Sequence, residues 1–225
     1  MTRVKICGMR TGEEVRLCVE AGAHALGFVT EYPADVPWNL DRDEAMRLMD
    51  LVPPFVYRVI VVGGDPDTVL SLAEYLKPQA VQLHGNEPPA VTRDIIAELS
   101  VMRIPAIKAL RFSVETGRCL GTDLDPLEAG KLFESAGADA LLLDSVSEKR
   151  VAGTGHSIDW TMARTIRDGL RIPVILAGGL HAGNVARAVT AVRPYAVDVI
   201  SGVENPNGDK DPRKVRDFIA AAASA

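Results

Sequence analysis

Short runs of aliphatic and β-branched residues alternate along the whole chain with longer segments whose apolar residues recur at helical spacing. This alternation is typical of repeated βα units, which build parallel sheets. We count eight units in 225 residues. The pattern therefore predicts one α/β domain over residues 1–225, a closed (β/α)8 TIM barrel of eight parallel strands and eight outer helices. The expected strands are Val4 to Cys7, Ala25 to Val29, Val56 to Val62, Ala80 to His84, Ile107 to Leu110, Ala140 to Asp144, Val174 to Ala177 and Ala196 to Ile200.

Strand parity selects the polar residues that should face the barrel interior. Successive side chains of a strand point to opposite faces, so an apolar residue packed under a helix places its neighbours inside. Polar groups inside a barrel are costly unless they are paired, and several together indicate a site. We expect Lys5 and Asp198 to form an ion pair near the barrel floor. The residues expected to face inward are Lys5, Cys7, Gln82, His84, Lys108, Asp144 and Asp198.

Cys7 and Asp144 are the strongest candidates for chemistry, because each ends a strand at the face where α/β barrels hold their active sites. A cysteine at a strand end is more often a small buried hydrophobic residue than a catalyst. Asp144 changes that view, since an acid at the end of an apolar strand has no packing role. We expect Gln82, His84 and Lys108 to line the substrate pocket between them.

Glycine-rich loops follow the last three strands. In TIM barrels these loops commonly bind phosphate through backbone N–H groups and a helix N-terminus. Single glycine pairs mostly mark tight turns, but three on adjacent loops favour a phosphate site. The predicted phosphate-binding residues are Gly153, Gly155, Gly178, Gly179, Ser201 and Gly202.

Composition narrows the class of partner. The formal net charge of −5, without a cluster of Lys and Arg, argues against nucleic acid. We expect no membrane segment, and the start of the chain lacks the pattern of a signal peptide, which favours the cytoplasm. The three cysteines have neither disulfide-like nor zinc-like spacing, so we expect reduced thiols and no metal. A small molecule is the expected ligand.

Seven stretches of the chain resemble the phosphoribosylanthranilate isomerase family over nearly its whole length. They are VKICGM (4–9), GFV (27–29), VQLHGNE (81–87), LLLDS (141–145), GTGHSIDW (153–160), ILAGGL (175–180) with Asn184, and AVDVISGVE (196–204). The resemblance implies a TIM barrel that performs an Amadori rearrangement of N-(5'-phosphoribosyl)anthranilate in tryptophan biosynthesis, without a cofactor. It also implies that Asp144 is the general acid that opens the ribose ring and that Cys7 is the general base that removes the C2 proton.

The resemblance breaks in the loop after the second strand, where the family usually carries an arginine that meets the anthranilate carboxylate. Here Trp38 takes that place. A guanidinium pairs with a carboxylate through two hydrogen bonds, whereas an indole offers stacking and one donor. Either another basic group, such as Arg10 or Arg111, binds the carboxylate, or the substrate is a related phosphoribosylamine with a different aglycone, such as an uncharged one.

Two alternatives to a phosphoribosylanthranilate isomerase stay open on the sequence. One is a paralogue that performs the same rearrangement on another phosphoribosylamine, and Trp38 is the residue that favours it. The other is a non-catalytic barrel that binds phosphosugars, which has no need of the acid and the thiol at positions 144 and 7. A monomer and a homodimer are both compatible with the sequence.

Overall fold

The computed structural model describes residues 1–113, 116, 118–146 and 159–225. Eight parallel strands form a closed barrel in chain order, and β1 pairs with β8 to complete it. The fold prediction is therefore confirmed. The strands are β1 (Arg3–Cys7), β2 (Ala25–Val29), β3 (Tyr57–Val62), β4 (Ala80–Leu83), β5 (Ala106–Ser113), β6 (Ala140–Val146), β7 (Val174–Leu176) and β8 (Ala196–Val199).

Each strand is followed by a helix that packs on the outside of the barrel. A short 3₁₀ helix, Ser201–Val203, precedes the last of them. The helices are α1 (Gly12–Glu20), α2 (Arg42–Met49), α3 (Pro66–Leu76), α4 (Pro89–Val101), α5 (Pro126–Ser135), α6 (Trp160–Gly169), α7 (Val185–Val192) and α8 (Pro212–Ala223).

Local sequence signals set several of the helix starts. The side chain of Asp65 accepts a hydrogen bond from the Thr68 backbone N–H, and Pro66 occupies the first turn of α3. Thr11 caps α1 in the same way through the N–H of Glu14. The Glu14 carboxylate does not return to Thr11, however, but accepts from the backbone N–H groups of Arg10 and Lys210. Glu14 thereby joins α1 to the loop before α8.

The apolar core has two main layers, and a third, small cluster contains Cys7, Val29, Trp38 and Val61. The larger layer lies between strands and helices and contains Val4 and Ile6 of β1. A smaller layer fills the barrel interior and consists almost entirely of strand residues, among them Val59, Ile107 and Ala109. Alternate residues of each strand thus serve the two layers, as strand geometry requires.

Lys5 and Asp198 lie opposite each other on β1 and β8, and both are buried. The Lys5 ammonium is 3.1 Å from each carboxylate oxygen of Asp198. The predicted ion pair at the barrel floor is confirmed. A charge pair removed from water needs such hydrogen bonds, because isolated buried charges carry a large desolvation cost.

Lys108 points away from the barrel interior, although the sequence predicted that it faces inward. Its neighbours Ile107 and Ala109 fill the barrel interior, so Lys108 points to the helix layer, where its ammonium lies 5.6 Å from the centre of the Phe133 ring. The prediction that Lys108 faces the barrel interior was wrong, because the sequence analysis assigned the residues of β5 to the opposite faces.

Among the described residues, no helix is long and apolar enough to span a bilayer.

Candidate active site

A cavity opens at the carboxyl ends of the strands. It brings together most of the residues that the sequence singled out, and Lys108 is the exception within the described chain. Gly153 and Gly155 lie outside the described residues. The predicted site residues that line the cavity are Cys7, Trp38, Gln82, His84, Asp144, Gly178, Gly179, Ser201 and Gly202.

Cys7 stands at the end of β1, almost fully buried against β2. A Cβ at Gly27 would collide with the Cys7 sulfur and would come within 2.9 Å of the Lys5 ammonium, so glycine leaves room for both groups. Burial raises the pKa of Cys7, and the positive charge of Lys5 acts in the opposite direction. Burial alone lowers the pKa of Lys5, but Asp198 and Cys7 outweigh it, so the net pKa of Lys5 is raised. The raised pKa keeps Lys5 protonated, and its positive charge stabilises a Cys7 thiolate.

Asp144 is linked to β4 through a short chain of polar groups. One of its carboxylate oxygens is 3.4 Å from Nε2 of His84. Nδ1 of the same ring is 3.0 Å from the side-chain nitrogen of Gln82. Tyr32, in the loop after β2, donates its hydroxyl to the backbone oxygen of His84 at 3.1 Å. His84 thus connects Asp144 to Gln82 through its two ring nitrogens, which lets it orient the carboxyl of Asp144.

The loop after β7 has the geometry of an anion site. Gly178 has a φ of +81°, and a Cβ there would stand 2.5 Å from Ser145 Oγ and 2.7 Å from Ser145 N. The Asn184 side chain accepts from the backbone N–H of His181 and donates to the Gly179 carbonyl. In the described part of the chain, the backbone N–H groups of Gly178 and Gly179 meet no protein acceptor. These N–H groups are available to a phosphate.

Trp38 closes the cavity above β1. A Cβ on Gly8 would stand 2.9 Å from the indole ring, which shows how closely the ring covers the backbone beside Cys7. The indole N–H donates to Oε1 of Glu204 at 2.7 Å, and the same oxygen accepts from the ammonium of Lys210 at 2.7 Å. All three side chains are buried. The indole N–H, which is the side-chain donor of Trp38, is therefore already bonded inside the protein.

Sequence reasoning assigned no role to four of these residues, Gly27, Tyr32, Glu204 and Lys210. Gly27 begins the GFV stretch of an apolar strand, and nothing local indicates that it makes room for Cys7. Glu204 ends the SGVE stretch, but its partner Trp38 is 166 positions away in the chain. Arg10 and Arg111 were the two cations that the sequence suggested for the carboxylate. Arg111 lies near the end of β5, which runs beyond the expected Leu110, and it lines the cavity. Arg10 does not line the cavity.

Comparison with known proteins agrees with this geometry. Residues 4–221 match the family model described as N-(5'phosphoribosyl)anthranilate (PRA) isomerase. The chain belongs to this isomerase family. The N-(5'-phosphoribosyl)anthranilate isomerase of Methanocella arvoryzae is 40% identical over 220 residues, which cover 97% of each chain.

Solved structures of family members extend the match to three dimensions. The phosphoribosyl anthranilate isomerase of Thermotoga maritima superimposes with a TM-score of 0.78 at 35% identity, over the full length of both chains. A phosphoribosyl anthranilate isomerase in complex with reduced 1-(o-carboxyphenylamino)-1-deoxyribulose 5-phosphate gives a TM-score of 0.75, again at 35% identity and full coverage of both chains. The family resemblance found in the sequence is confirmed.

Proposed function

We propose that this protein catalyses the Amadori rearrangement of N-(5'-phosphoribosyl)anthranilate in tryptophan biosynthesis, with Asp144 as general acid and Cys7 as general base. The single observation that supports these roles best is that a thiol on β1 and a carboxyl on β6 line one cavity, which is also lined by Gly178 and Gly179, whose backbone N–H groups meet no acceptor among the described residues. A phosphate bound by the loop after β7 would place the sugar between Cys7 and Asp144.

The reaction needs two proton transfers at different sugar atoms. Asp144 gives its proton to the ring oxygen while the bond from that oxygen to C1 breaks and the nitrogen forms an iminium. Cys7 then removes the proton from C2, and the electron pair moves to form an enolamine that tautomerises to the ketose. The iminium makes the C2 proton acidic, so a thiolate is a sufficient base.

Lys5 supports the thiolate in this scheme. Cys7 is buried, which disfavours its charged form and raises its pKa, and the adjacent Lys5 ammonium offsets part of this cost. His84 orients Asp144 from the other side of the pocket. Every group required for the two proton transfers is a side chain of this protein, so the proposal includes neither a cofactor nor a metal.

The test is an isomerisation assay on N-(5'-phosphoribosyl)anthranilate with the wild type, Cys7→Ser and Asp144→Asn. We expect turnover by the wild type and losses in kcat of at least about a hundredfold in each variant, the lower range for general acid–base catalysis. Cys18→Ala is the matched control, because Cys18 is a buried thiol on α1 outside the cavity.

Two outcomes would contradict the proposal. A folded wild type that turns over only a different phosphoribosylamine would identify the paralogue instead. A wild type that binds the phosphosugar without converting it, with an unchanged affinity in both variants, would identify a non-catalytic binder. The cytoplasmic location and the choice between monomer and homodimer remain predictions, which cell fractionation and sedimentation velocity test.

A further inference from the structure

Under the proposed function, the anthranilate carboxylate needs a cationic partner, and the residue that the family usually places there is replaced by Trp38. Trp38 cannot take over this role, because its indole N–H is already bonded to Glu204. The carboxylate must therefore meet a different group of the cavity wall. A buried or half-buried carboxylate without a partner would lose binding energy.

Most nearby cations of the described chain are already engaged. Lys5 is paired with Asp198. Lys108 lies behind the barrel wall with the Gly85 carbonyl. The Lys210 ammonium is fully buried against Glu204, behind Trp38. Arg10 bonds the Gly208 carbonyl and Asp209 and does not line the cavity.

Arg111 differs from all of these. It lines the cavity from the end of β5, opposite Asp144 in the β5–β6 register. Its Nη1 donates to Oδ1 of Asn86 at 3.2 Å, but its Nε–H is buried and has no acceptor among the described residues. A buried donor without an acceptor is costly, and a small rotation of the Arg111 side chain toward the cavity would let a ligand oxygen remove that cost.

The position of Arg111 suits an aromatic aglycone. Tyr32 stands on the neighbouring side of the cavity, where burial raises the pKa of its hydroxyl and the charge of Arg111 acts in the opposite direction. Arg111 and Tyr32 line the same cavity. The fork formed by Nε and the adjacent Nη matches the two oxygens of a carboxylate.

We infer that Arg111 is the specificity-determining residue of this protein, binding the carboxylate of the anthranilate ring through its Nε side. The inference rests on the proposed function and adds to it the group that distinguishes anthranilate from an uncharged aglycone. Trp38 then acts as an apolar wall beside the reacting carbon.

The experiment compares N-(5'-phosphoribosyl)anthranilate with N-(5'-phosphoribosyl)aniline, which is the same compound without the carboxylate. For Arg111→Met we expect kcat/KM on the anthranilate compound to fall roughly 10- to 100-fold, the range for a lost hydrogen bond to a charged group. Most of the change should be in KM. On the aniline compound the change should stay below about threefold, since there is no carboxylate to lose.

Three controls make the comparison specific. Arg111→Lys keeps the charge without the fork and should lose less than Arg111→Met. Arg10→Met should leave the ratio between the two substrates unchanged, because Arg10 lies outside the cavity. If Arg111→Met does not fold, Arg111→Gln retains donors for Asn86 and takes its place. The affinity for reduced 1-(o-carboxyphenylamino)-1-deoxyribulose 5-phosphate, measured by calorimetry, should fall in parallel with kcat/KM.

Equal losses on both substrates, or no loss on either, would overturn the assignment of Arg111 while leaving the proposed function intact. Absence of wild-type turnover of the anthranilate compound would instead overturn the proposed function. The two failures are thus distinguished by the wild type alone.

Discussion

The indole Nε1 of Trp38 and the carboxylate Oε1 of Glu204 are joined by a 2.7 Å hydrogen bond between the loop after β2 and the loop after β8. The same oxygen also accepts from Lys210, so Glu204 holds an aromatic ring and a buried ammonium together. Since the ring covers Gly8 beside Cys7, this bond fixes one wall of the cavity from the far end of the chain.

Replacing Glu204 should lower the free energy of unfolding more than replacing Trp38 does. Trp38→Phe removes one hydrogen bond to a carboxylate and should lower the free energy of unfolding by about 1.5–3 kcal/mol. Glu204→Gln leaves the Lys210 ammonium buried without a counter-charge and should lower it by about 3–5 kcal/mol. Urea unfolding of both variants measures the difference. Equal costs, or a more stable Glu204→Gln variant, would show that Lys210 does not depend on the carboxylate.

The sequence predicted the barrel and most of its mouth because those features depend on local patterns. Alternation in β1 places Cys7 and Lys5 on one face, and Asp144 faces the interior two residues before the end of β6. It failed at Lys108, because β5 is apolar on both faces and a shift of one residue exchanges them. It could not find the contact between Trp38 and Glu204, since no local pattern reports pairing between distant loops.

Lys5 should control the pH dependence of catalysis. A general base acts when deprotonated, so activity should rise with pH, and the raised pKa of Cys7 places this rise above the range of an ordinary thiol. Lys5 favours the thiolate and so lowers the pKa of Cys7. Lys5→Met should therefore move the rise to higher pH, by about one unit for each 1.4 kcal/mol of lost interaction.

Measurement of kcat/KM from pH 6 to 11 tests this shift. The control is Lys5→Met with Asp198→Asn, which removes both charges of the pair. Asp198 raises the pKa of Cys7, so the double variant should show a smaller upward shift than Lys5→Met alone. A Lys5→Met profile that coincides with that of the wild type, or moves to lower pH, would contradict the role of Lys5.

Gly178 should be required for binding of the phosphate. Alanine at φ +81° is strained, and its Cβ would meet Ser145 at 2.5–2.7 Å, which pushes the loop after β7 out of place. We expect Gly178→Ala to raise KM at least about tenfold, the effect of roughly 1.4 kcal/mol. The affinity of this variant for ribose 5-phosphate, used as a competitive inhibitor, should fall in parallel.

The matched control for this change is Gly22→Ala. Gly22 has a φ of +93°, but a Cβ there would meet nothing within 4 Å, and the residue lies between α1 and β2 outside the cavity. It should lower stability by about 1–2 kcal/mol from backbone strain alone and leave KM unchanged. Similar KM values for the two variants would show that the loop after β7 does not hold the phosphate.

Lys108 should matter for stability and not for substrate affinity. Its ammonium donates to the Gly85 carbonyl at 2.7 Å and lies 3.4 Å from Glu87, whose other oxygen accepts from the Gly64 N–H. Burial lowers the pKa of Lys108 and Glu87 opposes this, as expected for a cation behind the barrel wall. Lys108→Met should lower the free energy of unfolding by about 1.5–3 kcal/mol, the cost of a hydrogen bond to a charged group. KM should change less than about threefold, a small binding term, because Lys108 does not line the cavity. A large rise in KM with unchanged urea unfolding would place Lys108 in the substrate pocket after all.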